Sequence, residues 1–113
     1  MAPQRPTVWV VQDDPRKNML PARAYGEMVP IFNDGEQITI SSAAALRRVL
    51  YDMQSWRPGD FILANGDPAM IAVVCAVVAH LNNGRLKILK WDRQERTYYP
   101  VDIDLPAAIA TLQ

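Results

Sequence analysis

The stretch from residue 60 to residue 91 constrains the fold more than any other. Residues 60–64 (D-F-I-L-A) form a short apolar run with the length of a buried strand. Asn65-Gly66-Asp67 makes a tight connection. Asp67 carries a helix N-cap side chain, and Pro68 suits the first helical position, where a missing N–H costs nothing. Residues 69–81 read as a helix, and Asn82, Asn83 and Gly84 supply its stop. Residues 85–91 are again strand-like. Strand, helix and strand with short connections make a right-handed βαβ unit with parallel strands.

The helix of that unit is unusual. From Pro68 to Leu81 it carries no charge, and His80 is its only strongly polar side chain. A helix apolar all round has to be covered all round. Two readings stay open: it lies centrally, between sheet, first helix and a loop, or a second copy of the chain closes one face.

The flanking segments complete a small sheet. Residues 7–12 (T-V-W-V-V-Q) read as a strand covered on both faces. Residues 13–23, with Pro15 and Pro21, form a long loop. Residues 25–32 form a second strand, and Pro30 puts it at an edge. Asn33-Asp34-Gly35 turns the chain, and 38–40 is a brief extended piece. Ser41 or Ser42 caps a helix reaching about Trp56, with Leu46, Val49, Leu50 and Met53 on one stripe and Arg48 spaced to pair with Asp52. After a charged turn at 92–96, residues 97–105 return as an antiparallel fifth strand. Val101, Ile103 and Leu105 should face inward there, Asp102 and Asp104 should face water, and Pro100 marks an edge. Residues 106–113 read as a short tail. The expected fold is a single α/β domain over 1–113. It holds a small mixed sheet of about five strands, two helices, one right-handed βαβ unit and a C-terminal β-hairpin.

Composition removes several functions. Twelve Lys and Arg balance twelve Asp and Glu, so no global basic field exists to attract nucleic acid, and only a local patch could serve. The lone Cys75 sits in an apolar run and suits a reducing compartment. The longest apolar run, 69–79, is too short to cross a bilayer, so the expectation is a cytoplasmic protein without membrane contact. A histidine beside a nucleophile is the core of Ser-His-Asp and Cys-His systems. Here His80 and Cys75 are five apart on one helix and point in different directions. One cysteine and one histidine are too few for a zinc site. Neither G-x-x-x-x-G-K-[ST] nor G-x-G-x-x-G occurs. The chain is therefore expected to be no enzyme and to hold no cofactor and no metal.

Two places remain for a binding site. Asp13 and Asp14 follow the first strand, while Asn65, Gly66 and Asp67 follow the third. If those strands are parallel, the five residues share the sheet rim where α/β folds bind ligands. Such a rim suits a small molecule, a nucleotide or, through oxygens, a divalent cation. Asp67 argues against an anion there, and a plain turn with a cap accounts for the same residues. The second place is the hairpin, where Lys90, Trp91, Arg93, Arg96, Tyr98 and Tyr99 crowd together beside Lys87. Aromatic and basic residues suit a protein interface or single-stranded nucleic acid, and an ordinary hairpin with aromatic cross-strand pairs also fits. Side chains alternate along a strand, so Tyr98 and Tyr99 cannot both enter the core. One should be exposed beside the cations.

The strings V-W-V-V-Q (8–12), G-D-F-I-L-A-N-G-D-P (59–68) and L-K-I-L-K-W-D-R-Q-E-R-T-Y-Y-P-V-D-I-D-L (86–105) resemble small proteins of tailed bacteriophages. The resemblance covers most of the chain except 13–23 and 33–37, and it brings no catalytic residue. It implies an accessory protein, made in an infected bacterium, that acts by binding. The leading expectation is a non-enzymatic binding protein with a host or viral protein as partner, forming a homodimer. The alternatives are a small-molecule or nucleotide binder using 12–14 and 65–67, and a nucleic-acid-binding module using 85–99.

Overall fold

The computed structural model describes residues 5–39 and 41–113. Five strands form one sheet: β1 (Thr7–Gln12), β2 (Glu27–Phe32), β3 (Phe61–Leu63), β4 (Arg85–Asp92) and β5 (Thr97–Asp104). Their spatial order is β2-β1-β3-β4-β5. The first four are mutually parallel and β5 returns antiparallel to β4. Helix α1 (Ala43–Asp52) precedes β3, α2 (Pro68–Leu81) joins β3 to β4, and α3 (Leu105–Ala110) follows β5. This is the expected α/β architecture, with the parallel β3-α2-β4 unit and the hairpin both present.

The strands are short and apolar because both faces of the sheet are covered. Alternation divides the core into two layers. Trp9, Val11, Ile62 and Leu86 pack with Val49 and Met53 and with Met70, Val73, Val74, Val77 and Val78 of α2. Val8, Val10, Leu63 and Leu89 face the other way and meet Met19, Ala22 and Tyr98. That second cover is the β1–β2 connection, which the sequence presents as a loop. It contains a 3-10 turn, Leu20–Ala24, with Pro21 in its first turn.

The uncharged helix needs less covering than its composition suggests. Its valines and methionine face sheet and α1, while Ala72 and Ala76 lie on the exposed side. An alanine methyl in water costs little, so polarity is not required there. Asp67 caps the helix as expected, its side chain accepting from Ala69 N at 3.0 Å.

Other expectations need correction. The first helix ends at Asp52 and continues only as a 3-10 turn, Met53–Ser55. Ser42 stands at its N-cap without a side-chain cap bond. Leu50 is exposed, although Val49 and Met53 of the same stripe are buried. Arg48 does not pair with Asp52. Its guanidinium reaches Glu36 Oε2 at 2.9 Å and the Ile31 carbonyl at 2.6 Å, and it stacks over Phe32. These partners outcompete a solvated pair on the helix surface, worth only a few tenths of a kcal/mol. Ile38 is not in a strand, and Ile40 lies outside the described residues. Val101 and Ile103 do not face a core. β5 is an edge strand beyond the reach of α2, and both residues stay exposed. Leu105 begins α3 in place of ending a strand, because Asp104 caps that helix through Ala107 N. Residues 106–113 thus contain most of α3 and are not a plain tail.

Both edge strands carry a mid-strand proline, Pro30 in β2 and Pro100 in β5. Proline has no N–H to give a further strand.

Asp60 fastens the amino end of the sheet. It is buried, and its carboxylate accepts from Thr7 N at 2.9 Å, Trp9 Nε1 at 3.0 Å and Arg57 N at 3.1 Å. Removing it strands buried donors on β1. Asp60→Ala should cost about 3 kcal/mol of stability, a magnitude set by the penalty for unsatisfied buried donors. Urea denaturation of the variant and the parent measures it, and an unchanged midpoint refutes this role.

Candidate functional site

The carboxyl ends of β3 and β4 lie side by side, with Leu63 opposite Leu89. Beyond them the chain leaves β3 through Ala64 and Asn65, whereas β4 runs on into the hairpin. The β1–β2 connection approaches the same place, held by buried Met19 and Ala22. An open cavity of about 720 Å³ lies among these three segments. Leu63 and Leu89 supply apolar surface, Trp91 and Tyr98 supply rings, and Lys17, Arg93 and Arg96 supply charge, while Lys90 borders the cavity but turns its side chain to the other face of the sheet, beside Tyr99. No carboxylate lines it among the described residues. The structure therefore brings Asn65, from the expected rim, together with the hairpin's Lys90, Trp91, Arg93, Arg96 and Tyr98.

Trp91 and Tyr98 are cross-strand partners, edge to face at 5.0 Å and 65°. Tyr98 is buried, and its carbonyl accepts from the Tyr25 hydroxyl at 2.9 Å, which ties the β1–β2 connection to the hairpin. Burial pushes the Tyr98 phenol up, so the hydroxyl stays protonated and can donate. The exposed tyrosine is Tyr99, as alternation requires, but it does not line the cavity. It pairs with Lys90 on the same side as Val101. The exposed ring among the cations is Trp91, at 39 %.

The charges are held open. Lys17 Nζ donates to Asn65 Oδ1 at 2.8 Å, and Asn65 Nδ2 donates to the Gln12 carbonyl at 2.9 Å. The amide positions the ammonium without neutralising it. Lys90, Arg93 and Arg96 have no ion-pair partner among the described residues. The nearby Asp92 carboxylate is occupied by Gln94 N and Glu95 N, which close the turn. Arg96 sits at φ +52°, a left-handed conformation that costs a side-chain-bearing residue about 1 kcal/mol. Asn83, at φ +55°, has the same conformation but lies at a helix stop and belongs to a residue type that tolerates it. Arg96 closes the hairpin turn between Asp92 and Thr97, where a left-handed residue commonly returns the chain to the second strand. Lys17 escaped the sequence reading because the mixed charges of 14–17 look like ordinary loop surface.

The rest of the expected rim is built for internal bonding. Strand order reverses between β1 and β3, the point where α/β sheets open a ligand crevice. Here Gln12 fills it. Its Oε1 accepts from Asp67 N at 2.9 Å, and its Nε2 donates to the Asn33 and Glu36 carbonyls at 3.0 and 2.9 Å. Gly66, at φ +123°, packs so closely that a Cβ would collide with the Gln12 side chain. Its backbone freedom thus serves Gln12. Asp14 is paired with Arg16 at 3.0 Å, Asp67 is occupied by Ala69 N and Ile38 N, and Asp13 is exposed. Asp13, Asp14 and Asp67 do line a smaller groove of about 320 Å³. They do not converge as a cation site, and no group of three or more metal-ligating side chains occurs among the described residues.

A family model for Phage Pam3 gp32-like protein matches residues 6–105. The chain belongs to this phage protein family. No curated protein and no solved structure is significantly similar to it. The Pam3 gp32-like region contains every residue that lines the cavity and ends where α3 begins. No helix among the described residues is long and apolar enough to cross a membrane.

The left-handed arginine of this family member gives a direct check on its role. Arg96→Gly should leave the fold intact and raise its stability by about 0.5–1 kcal/mol, because glycine adopts this conformation without strain. Thermal denaturation reads the change. A clear loss of stability would show that Arg96 is held by packing.

Proposed function

We propose that this phage-family protein is a non-enzymatic binding protein that takes an anionic ligand in the cavity beyond β3 and β4. One observation carries the reading. On a chain whose charges balance, Lys17, Arg93 and Arg96 border one cavity and no carboxylate joins them among the described residues. A cleft lined by one sign of charge concentrates the opposite sign. Its position at the carboxyl ends of parallel strands, and its volume, suit a small ligand. The reading as a binder without catalysis is supported by the only histidine. His80 stands in the last turn of α2, at the other end of a helix about 20 Å long. As a phage protein with one half-buried free thiol, pushed up by burial, it would act in the reducing cytoplasm of the host cell.

Titration with inorganic pyrophosphate in a calorimeter tests this. Binding is expected, with affinity falling as salt is added. The double change Arg93→Glu and Arg96→Glu should weaken it at least tenfold while circular dichroism stays unchanged. Undiminished binding by the folded double variant, or no binding by the parent, removes the proposal.

A protein contact has its own supporting observation. Tyr99, Val101 and Ile103 form an exposed apolar row along β5, with exposed Leu105 and Ile109 following. A second copy packed on this row would make the homodimer. Light scattering should then give a dimer mass at micromolar concentration, with monomer restored by Val101→Asp. A monomer mass throughout that range rules it out.

A further inference from the structure

Resting on the anion-binding reading, we infer that the cavity's ligand is a mononucleotide, with its phosphates on the cations and its base stacked on Trp91. A cavity for a bare inorganic anion needs only donors. This one also presents an indole that is 39 % exposed at its border and anchored edge to face against Tyr98 at 5.0 Å. A half-exposed ring fixed against a neighbour on one side is already ordered, and its exposed part offers surface on which a base can stack. The cations come from two segments. Lys17 comes from the β1–β2 connection, where Asn65 holds its ammonium at 2.8 Å. Arg93 and Arg96 follow Trp91 in the hairpin turn. Phosphate and base can therefore be engaged together.

The same arrangement favours one nucleotide over a strand. Proteins that hold single strands have a basic groove that follows the backbone over several nucleotides. Here the positive charge is gathered at one cavity. Farther along the hairpin, Asp102 and Asp104 stand opposite Lys87 and Arg85, with Asp104 3.5 Å from the Arg85 guanidinium, so unbalanced positive charge does not continue along it. The cavity, at about 720 Å³, is of a size that holds a ligand of small-molecule dimensions.

The test compares ADP, GDP, CDP and UDP with inorganic pyrophosphate and a twelve-residue oligo-dT, all titrated into the intact chain. At least one nucleoside diphosphate should bind tenfold or more tighter than pyrophosphate. Trp91→Ala should erase that difference and leave pyrophosphate affinity within about twofold, whereas Trp91→Phe should keep most of it. Arg96→Gly should weaken both classes of probe. Pyrophosphate binding as tightly as every nucleoside diphosphate would overturn the nucleotide inference and leave the anion reading standing. Oligo-dT binding more tightly than the mononucleotides would replace it with a strand-binding site. Failure of every probe would remove both. The wild-type comparison decides between the first two outcomes even if Trp91→Ala does not fold.

Discussion

The fold turns on the side chain of Gln12. Its single amide uses both of its ends inside the protein, joining the last residue of β1 to the first turn of α2 and to the segment leaving β2. Three separate pieces of chain are thereby fixed at the point where strand order reverses. A buried amide with every group satisfied is rigid, because any displacement exposes an unpaired donor or acceptor. The usual crevice of a doubly wound sheet is thus closed by the protein itself. The opening that remains lies one strand over, above β3 and β4, where the hairpin can contribute to it.

That displacement explains how the charge is organised. On the Gln12 side, Asp14, Glu36 and Asp67 are engaged by arginines and a helix cap. On the hairpin side, Asp92 is absorbed in the same way, while the neighbouring cations are left unpaired. Neutrality of the whole chain therefore hides a local separation of sign. Asn65 stands on the boundary, since it lines both openings and bonds to both Gln12 and Lys17.

Much of this was legible in the residues. The 60–91 unit could be read because each signal agreed: an apolar run, an Asp-Pro start, an uncharged helix, an Asn-Asn-Gly stop. The hairpin followed from its paired apolar and aromatic runs. The site residues were read as two unrelated groups, because their meeting depends on β3 lying directly beside β4, and strand order is not a local property. α3 was missed although Asp104-Leu105-Pro106 carries a cap-and-proline signal like that of Asp67-Pro68. The alternation of Val101 and Ile103 with aspartates is also a sound local signal. It failed because alternation tells which side chains share a face, not whether anything covers that face.

The two edge prolines set a limit on growth. A sheet whose outer strands lack a donor at mid-length is a poor template for another strand on either side. Association between copies has to use side chains, and matching patches on two copies close on themselves. Growth into fibres by strand addition is thereby disfavoured at both edges.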